Sequence, residues 1–130
     1  MRTDSTNLSD EAIEGSRKII LNNYGKDYLP KTENRYSSKV KNAQEAHEAI
    51  RPAHRIFKSV SEVESIINKE AANLYDLIWK RTIASQMKPA KLKQTSITIV
   101  NQKAEFRANG QVIVFPGYMR AYVEAVSYTH

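Results

Sequence analysis

The sequence predicts an α+β chain, helical over its N-terminal two-thirds and antiparallel sheet after that. Three observations point there. Apolar residues recur at a helical period up to about residue 87. Lys88-Pro89 then stops the pattern, because proline lacks an N–H and disfavours helix in the residue before it. Beyond Pro89 the period becomes two, with β-branched residues and an Asn109-Gly110 pair.

The first helix begins at Ser9-Asp10-Glu11. Ser9 accepts from a free backbone N–H, and the two acids face the positive end of the helix dipole. Ile13, Ile20, Leu21 and Tyr24 share one face, and Gly25 is the natural stop. Residues 26–43 hold Pro30 and many Lys, Asn and Ser residues without a period, which reads as an irregular connection. Asn42, with Glu45 three residues on, makes a capping-box pattern for a short helix from Gln44 to about Arg51. Pro52 ends it. Residues 53–67 fit either a helical turn or an extended segment. From Lys69 to Met87 the helical signal is strongest, with Ala71, Leu74, Leu77, Ile78, Arg81, Ala84 and Ser85 along one stripe. Trp79 reads as core.

Three short strands follow, at 96–100, 104–108 and 111–115. Asn109-Gly110 supplies the two positive-φ residues of a type I′ hairpin turn. Pro116-Gly117 reads as a second turn, and Tyr118 to Val126 as a last strand. So few strands make a thin sheet, in need of a helical layer or further strands. A border between a helical part, residues 1–90, and a β part, residues 91–130, is expected near 89–94.

At 130 residues the chain is one ordinary domain or pieces of two, and it can bury a core without staples. It has no cysteine, which excludes a disulfide scaffold, a thiolate zinc site, an iron–sulfur cluster and a cysteine nucleophile. No apolar run approaches the ~20 residues of a membrane span. No apolar segment of a signal peptide follows Met1, so a reducing cytoplasm is expected. Lys and Arg total 20 against 14 Asp and Glu, a net charge of +6. The excess sits in two segments. Residues 31–58 hold seven basic and three acidic side chains, and residues 80–93 five basic and none acidic. Such clusters suit a polyanion, whose condensed counterions each phosphate contact releases.

The densest chemistry lies in Gln44-Glu45-Ala46-His47-Glu48-Ala49-Ile50-Arg51-Pro52. On a helix, His47 and Arg51 share a face and together grip one phosphate, the arginine by its fork and the histidine as a titratable donor. Glu45 and Glu48 would orient those cations. The bland alternative is an exposed helix with routine charge pairs. His54 and His130 do not fall at ligand spacing from His47, so no metal is expected to be held by this chain alone. No phosphate-cradling glycine loop or nucleophile elbow occurs.

Three segments together resemble the core of bacterial type IA DNA topoisomerases: Met1-Arg2-Thr3-Asp4-Ser5-Thr6-Asn7-Leu8-Ser9, then Glu45 to Pro52, then Leu74 to Trp79 with Gln86-Met87-Lys88-Pro89-Ala90. Their order and spacing agree with the family over nearly the whole chain. The resemblance implies an enzyme that relaxes negatively supercoiled DNA by cutting one strand through a 5′-phosphotyrosine, passing the other strand and resealing. The family's nucleophile is the tyrosine immediately before the Met-Arg-Thr-Asp-Ser run, which begins here at Met1. Its magnesium-binding acids belong to a separate domain earlier in the family's chain. The resemblance therefore implies a central fragment, inactive alone, most of the tyrosine-bearing domain with a helix-turn-helix-like core plus part of the arch-forming β domain. Arg2 matches the arginine at the scissile phosphate and His47 the histidine that contacts a DNA phosphate. Asp4 and Ser5 match residues that shape the site, and Arg51 would be a further phosphate contact. Tyr24, Tyr28 and Tyr36 match no catalytic position.

The competing reading is a stand-alone module for single-stranded nucleic acid. A third is an interaction domain whose basic patches only solubilise it. If the strands lack partners, their edges invite self-association.

Overall fold

The computed structural model describes residues 5–36 and 47–123. Helix α1 spans Asp10–Asn23, and the Ser9 hydroxyl accepts from the Ala12 N–H at 3.2 Å. Ala12, Ile13, Ser16 and Ile20 are its buried face. Gly25, at φ 95°, turns the chain out of it as expected, and Lys26–Tyr28 add one 3₁₀ turn. Leu21, expected on the inner face, is exposed.

The ambiguous stretch resolves as α2, Val60–Ile66, capped by Ser59. α3, Lys69–Ser85, follows after a turn at Ile67-Asn68, with the Asn68 Oδ1 accepting from Ala71 N–H at 2.8 Å. The buried side of α3 is Ala72, Thr82, Ile83 and Ala84. Leu74 and Leu77, on the predicted stripe, are 61% and 64% exposed. Ala84, also on that stripe, is buried as expected, whereas Ala72 and Ile83, off it, are buried too.

The core joins Ala12 and Ile20 of α1, Phe57, and Ile83, Ala84, Met87 and Ala121, with Trp79, Tyr24 and Tyr28 packed against it. The α3 C-terminus is tied to the connection before it. Asn34 Nδ2 donates to the Ser85 and Met87 carbonyls at 3.2 and 3.1 Å, and Gln86 Nε2 donates to Asn34 O at 3.1 Å. These bonds satisfy carbonyls that a helix end leaves open.

The sheet has two strands among the described residues, β1, Lys91–Asn101, and β2, Ala104–Phe115, paired antiparallel. The hairpin turn is at Gln102-Lys103, where the Asn101 Oδ1 accepts from the Gln102 N–H at 2.8 Å. Asn109-Gly110 is not the turn. It lies inside β2, opposite Ser96 and Thr95, and Gly110 has no positive φ. The Ser96 hydroxyl donates to Asn109 Oδ1 across the ladder at 2.9 Å. One long ladder pairs more backbone groups than two short ones, and it sets Ile97, Ile99, Phe106, Ala108 and Val112 on a single face.

The expected last strand is, over Gly117–Tyr122, a 3₁₀ helix that packs on α3; residues 124–126 lie outside the described region. Gly117 turns the chain with φ 51°, Tyr118 N–H donates to Lys88 O at 2.9 Å, and Ala121 enters the core. The ribbon is thus an excursion from the helical body, joined at its base by the Tyr28 and Phe115 rings, 4.9 Å apart. Among the described residues no helix is long and apolar enough to cross a membrane.

Candidate nucleic-acid interface

Two segments far apart in sequence meet at the start of α1. Residues 5–9 run extended into the Ser9 cap. The Ser5 side chain is buried, and its hydroxyl accepts from Asn7 N–H at 3.1 Å. The second segment is the loop 47–58. The Ala49 N–H donates to Asn7 O at 2.7 Å and stitches the two together.

The loop is irregular, not helical, over its described residues 47–51. Pro52, fully buried, and the long-range bond to Asn7 override the local helical pattern. His47 and Arg51 therefore do not share a helix face. His47 is exposed. The Arg51 side chain is only 16% exposed and turns inward. Its Nε donates to Glu48 Oε2 at 2.6 Å, Nη1 donates to the Pro52 and His54 carbonyls at 2.9 and 3.1 Å, and Nη2 reaches Glu48 Oε1 and the Ser9 hydroxyl at 3.4 and 3.5 Å. The Arg51 guanidinium holds the Glu48 carboxyl below its usual range, against the opposing effect of partial burial, and bonds with Ser9 add to the lowering.

The rest of the loop is seated on α1. The Arg55 carbonyl lies so close to Gly15 that a Cβ there would fall 2.5 Å from it. Arg55 also reaches Glu14 at 3.5 Å. His54 takes a φ of 71°, which is strained for a side chain other than glycine. The Tyr75 hydroxyl donates to Lys58 O at 2.5 Å and fixes the loop's far end to α3.

Arg2, Asp4 and Glu45 lie outside the described residues. Of the basic clusters, Lys39 and Lys41 do too, Arg35 is engaged by Asp10 and Glu33, and Lys80 pairs with Asp76 at 2.9 Å. Lys91 and Lys93 are exposed at the ribbon base. Of the expected site residues, His47 is exposed and Ser5 is buried; Asn7 and Ser9, which join the two segments, were not singled out as connectors by the sequence. The i, i+3 spacing of Glu48 and Arg51 was the one signal for that connection.

A family model described as DNA topoisomerase matches residues 1–129. The chain belongs to the DNA topoisomerase family. It is 52% identical over 124 residues to DNA topoisomerase 1 of Synechococcus elongatus, covering 95% of this chain and 14% of that protein. It is 48% identical over 120 residues to DNA topoisomerase 1 of Helicobacter pylori, covering 92% of this chain and 16% of the relative. Among solved structures, full-length topoisomerase I of Thermotoga maritima matches with a TM-score of 0.77 and 34% identity, over 95% of this chain and 19% of that one. The topoisomerase chain described here thus spans about a seventh of the curated relatives it matches. Its three motifs carry the type IA pattern of that family.

Proposed function

We propose that this chain is part of the DNA-handling core of a type IA DNA topoisomerase, and that alone it holds single-stranded DNA without cutting it. The parent enzyme relaxes negatively supercoiled DNA by transient cleavage through a 5′-phosphotyrosine, strand passage and religation. Arg2 stabilises charge developing on the scissile phosphate, an electrostatic contribution to phosphoryl transfer. His47 contacts a neighbouring backbone phosphate, and Asp4 and Ser5 shape the site between them.

The observation that carries this reading is the family match over residues 1–129. The bond from Ala49 to Asn7, which brings the His47 loop to the segment behind Arg2, supports it. Among the described residues no three His, Asp or Glu side chains are grouped to hold a metal. The magnesium ligands of the parent are assigned to its separate acidic domain, and the tyrosine nucleophile to the position before the Met1 run. DNA is the partner, with single strands preferred.

Two assays test this. Supercoiled plasmid incubated with pure chain and magnesium should stay supercoiled; turnover would refute the assigned inactivity. A labelled single-stranded oligonucleotide should bind at low salt and weaken linearly on a log–log salt plot, with the slope reduced by about one for His47→Ala. Absence of binding at low salt would refute the DNA contact.

A further inference from the structure

We propose that Glu48 and Arg51 are positioning residues. They latch the loop that carries His47 onto residues 5–9 and the first turn of α1, hold His47 in place beside that segment, and touch no DNA themselves. The functional half of this inference rests on the DNA-contact reading above, and the structural half does not.

The donors of Arg51 are used up within the chain. An arginine has five N–H donors in a fixed planar fork. In Arg51 each has an acceptor within the chain: two Glu48 oxygens, the carbonyls of Pro52 and His54, and the Ser9 hydroxyl. A phosphate would have to displace at least two of them. The fork bridges the loop's own turn to Ser9, 42 residues away. Glu48 completes the bridge by its bonds with Ser9, the α1 cap. Ala49 lies between Glu48 and Arg51, and its N–H is the one that holds Asn7 O at 2.7 Å. Gly15 leaves room for the loop to lie flat on α1. His47, at the leading end of the described loop, is exposed, as is the apolar Ile50.

A lysine separates the two roles of an arginine, since it keeps the charge and loses the fork. The variants are Arg51→Lys, Arg51→Ala, His47→Ala and the double His47→Ala/Arg51→Ala, all in the full 130-residue chain. The first readout is amide hydrogen exchange. The latch predicts that Ala49 N–H exchanges faster in Arg51→Lys and Arg51→Ala while the α3 amides keep their protection. Unchanged Ala49 protection would overturn the proposal. The second readout is binding of a labelled oligothymidylate across a salt series. Acting through His47, Arg51→Ala should add less than about twofold to the loss already caused by His47→Ala. Arg51→Lys should bind as weakly as Arg51→Ala. Multiplying losses, a further unit of salt slope, or full affinity in Arg51→Lys would make Arg51 a phosphate contact and overturn the latch. If the wild-type chain does not bind, the DNA reading fails and the exchange experiment alone decides the latch. Arg51→Lys serves in both assays if the alanine variant does not fold.

Discussion

Gly15 and Gly117 mark places where backbone touches backbone, and each makes a sharp mutational expectation. At Gly117 a Cβ would fall 2.5 Å from the Lys88 and Pro89 carbonyls, at a φ of 51° that alanine resists. Gly117→Ala should cost about 1–3 kcal/mol in urea unfolding, through strain and displaced carbonyls together. Gly15→Ala should free the Arg55 carbonyl from α1 and speed exchange in the loop 47–58 more than in α3. Glu48 carries the pH expectation. Its folded pKa is depressed, chiefly by Arg51. Its contribution is therefore present above the unfolded carboxylate pKa and is lost as pH falls through the lower folded value. Exchange of Ala49 N–H should accelerate in that acidic window relative to Glu48→Gln, which removes the titration. At this scale the exposure of His47 fits its place in a local polar motif. The inward turn of Arg51 was not, because Ser9 is distant in sequence and local spacing says nothing of it.

Among the elements, α1 and α3 were legible in type and extent from caps and period. Their buried faces were less so. On α3 Leu74 and Leu77 are outside and Ala72 and Ile83 inside, against the expected stripe, while Ala84 is inside with it. The expected Asn109-Gly110 hairpin is absent: its two arms, 104–108 and 111–115, are one strand, β2, paired with β1, because Asn-Gly is a strong local signal that a longer ladder outweighs. Gly110 gives a direct check. It has no positive φ, and a Cβ there would meet nothing within 4 Å. Gly110→Thr should therefore stabilise the ribbon by roughly 0.5–1 kcal/mol, since glycine weakens a strand interior. A loss of ribbon structure in that variant, read by cross-strand NMR contacts, would return the turn to Asn109-Gly110.

Across the whole molecule the ribbon carries exposed apolar side chains. Ile97, Ile99, Phe106 and Val112, more than half exposed, lie on one side. Gln94, Ser96, Thr98, Glu105, Arg107 and Gln111 lie on the other, with Leu92, Val100 and Ile113 among them. A ribbon that exposes this much apolar surface invites cover. In the isolated chain this predicts concentration-dependent association, with sedimentation showing species beyond monomer, and Ile99→Lys should return the chain to monomer. The thinness of the sheet was legible from the number of strand segments. The return of residues 116–123 to the helical core was not, because Ala121 carries no periodic signal of its own.

The ribbon leaves the helical body at Lys91 and re-enters it at Phe115, the residue paired with Lys91 in the ladder. Exit and entry are one place, so residues 92–114 enclose a closed circuit that the core does not need. Cut out and bridged by a short turn, they should leave the packing of Ile83 on Ala121 intact. The same closure makes the ribbon a handle. A pull at its tip is delivered whole to the knot of Lys88, Gly117 and Tyr118 at its base, and from there straight to the end of α3.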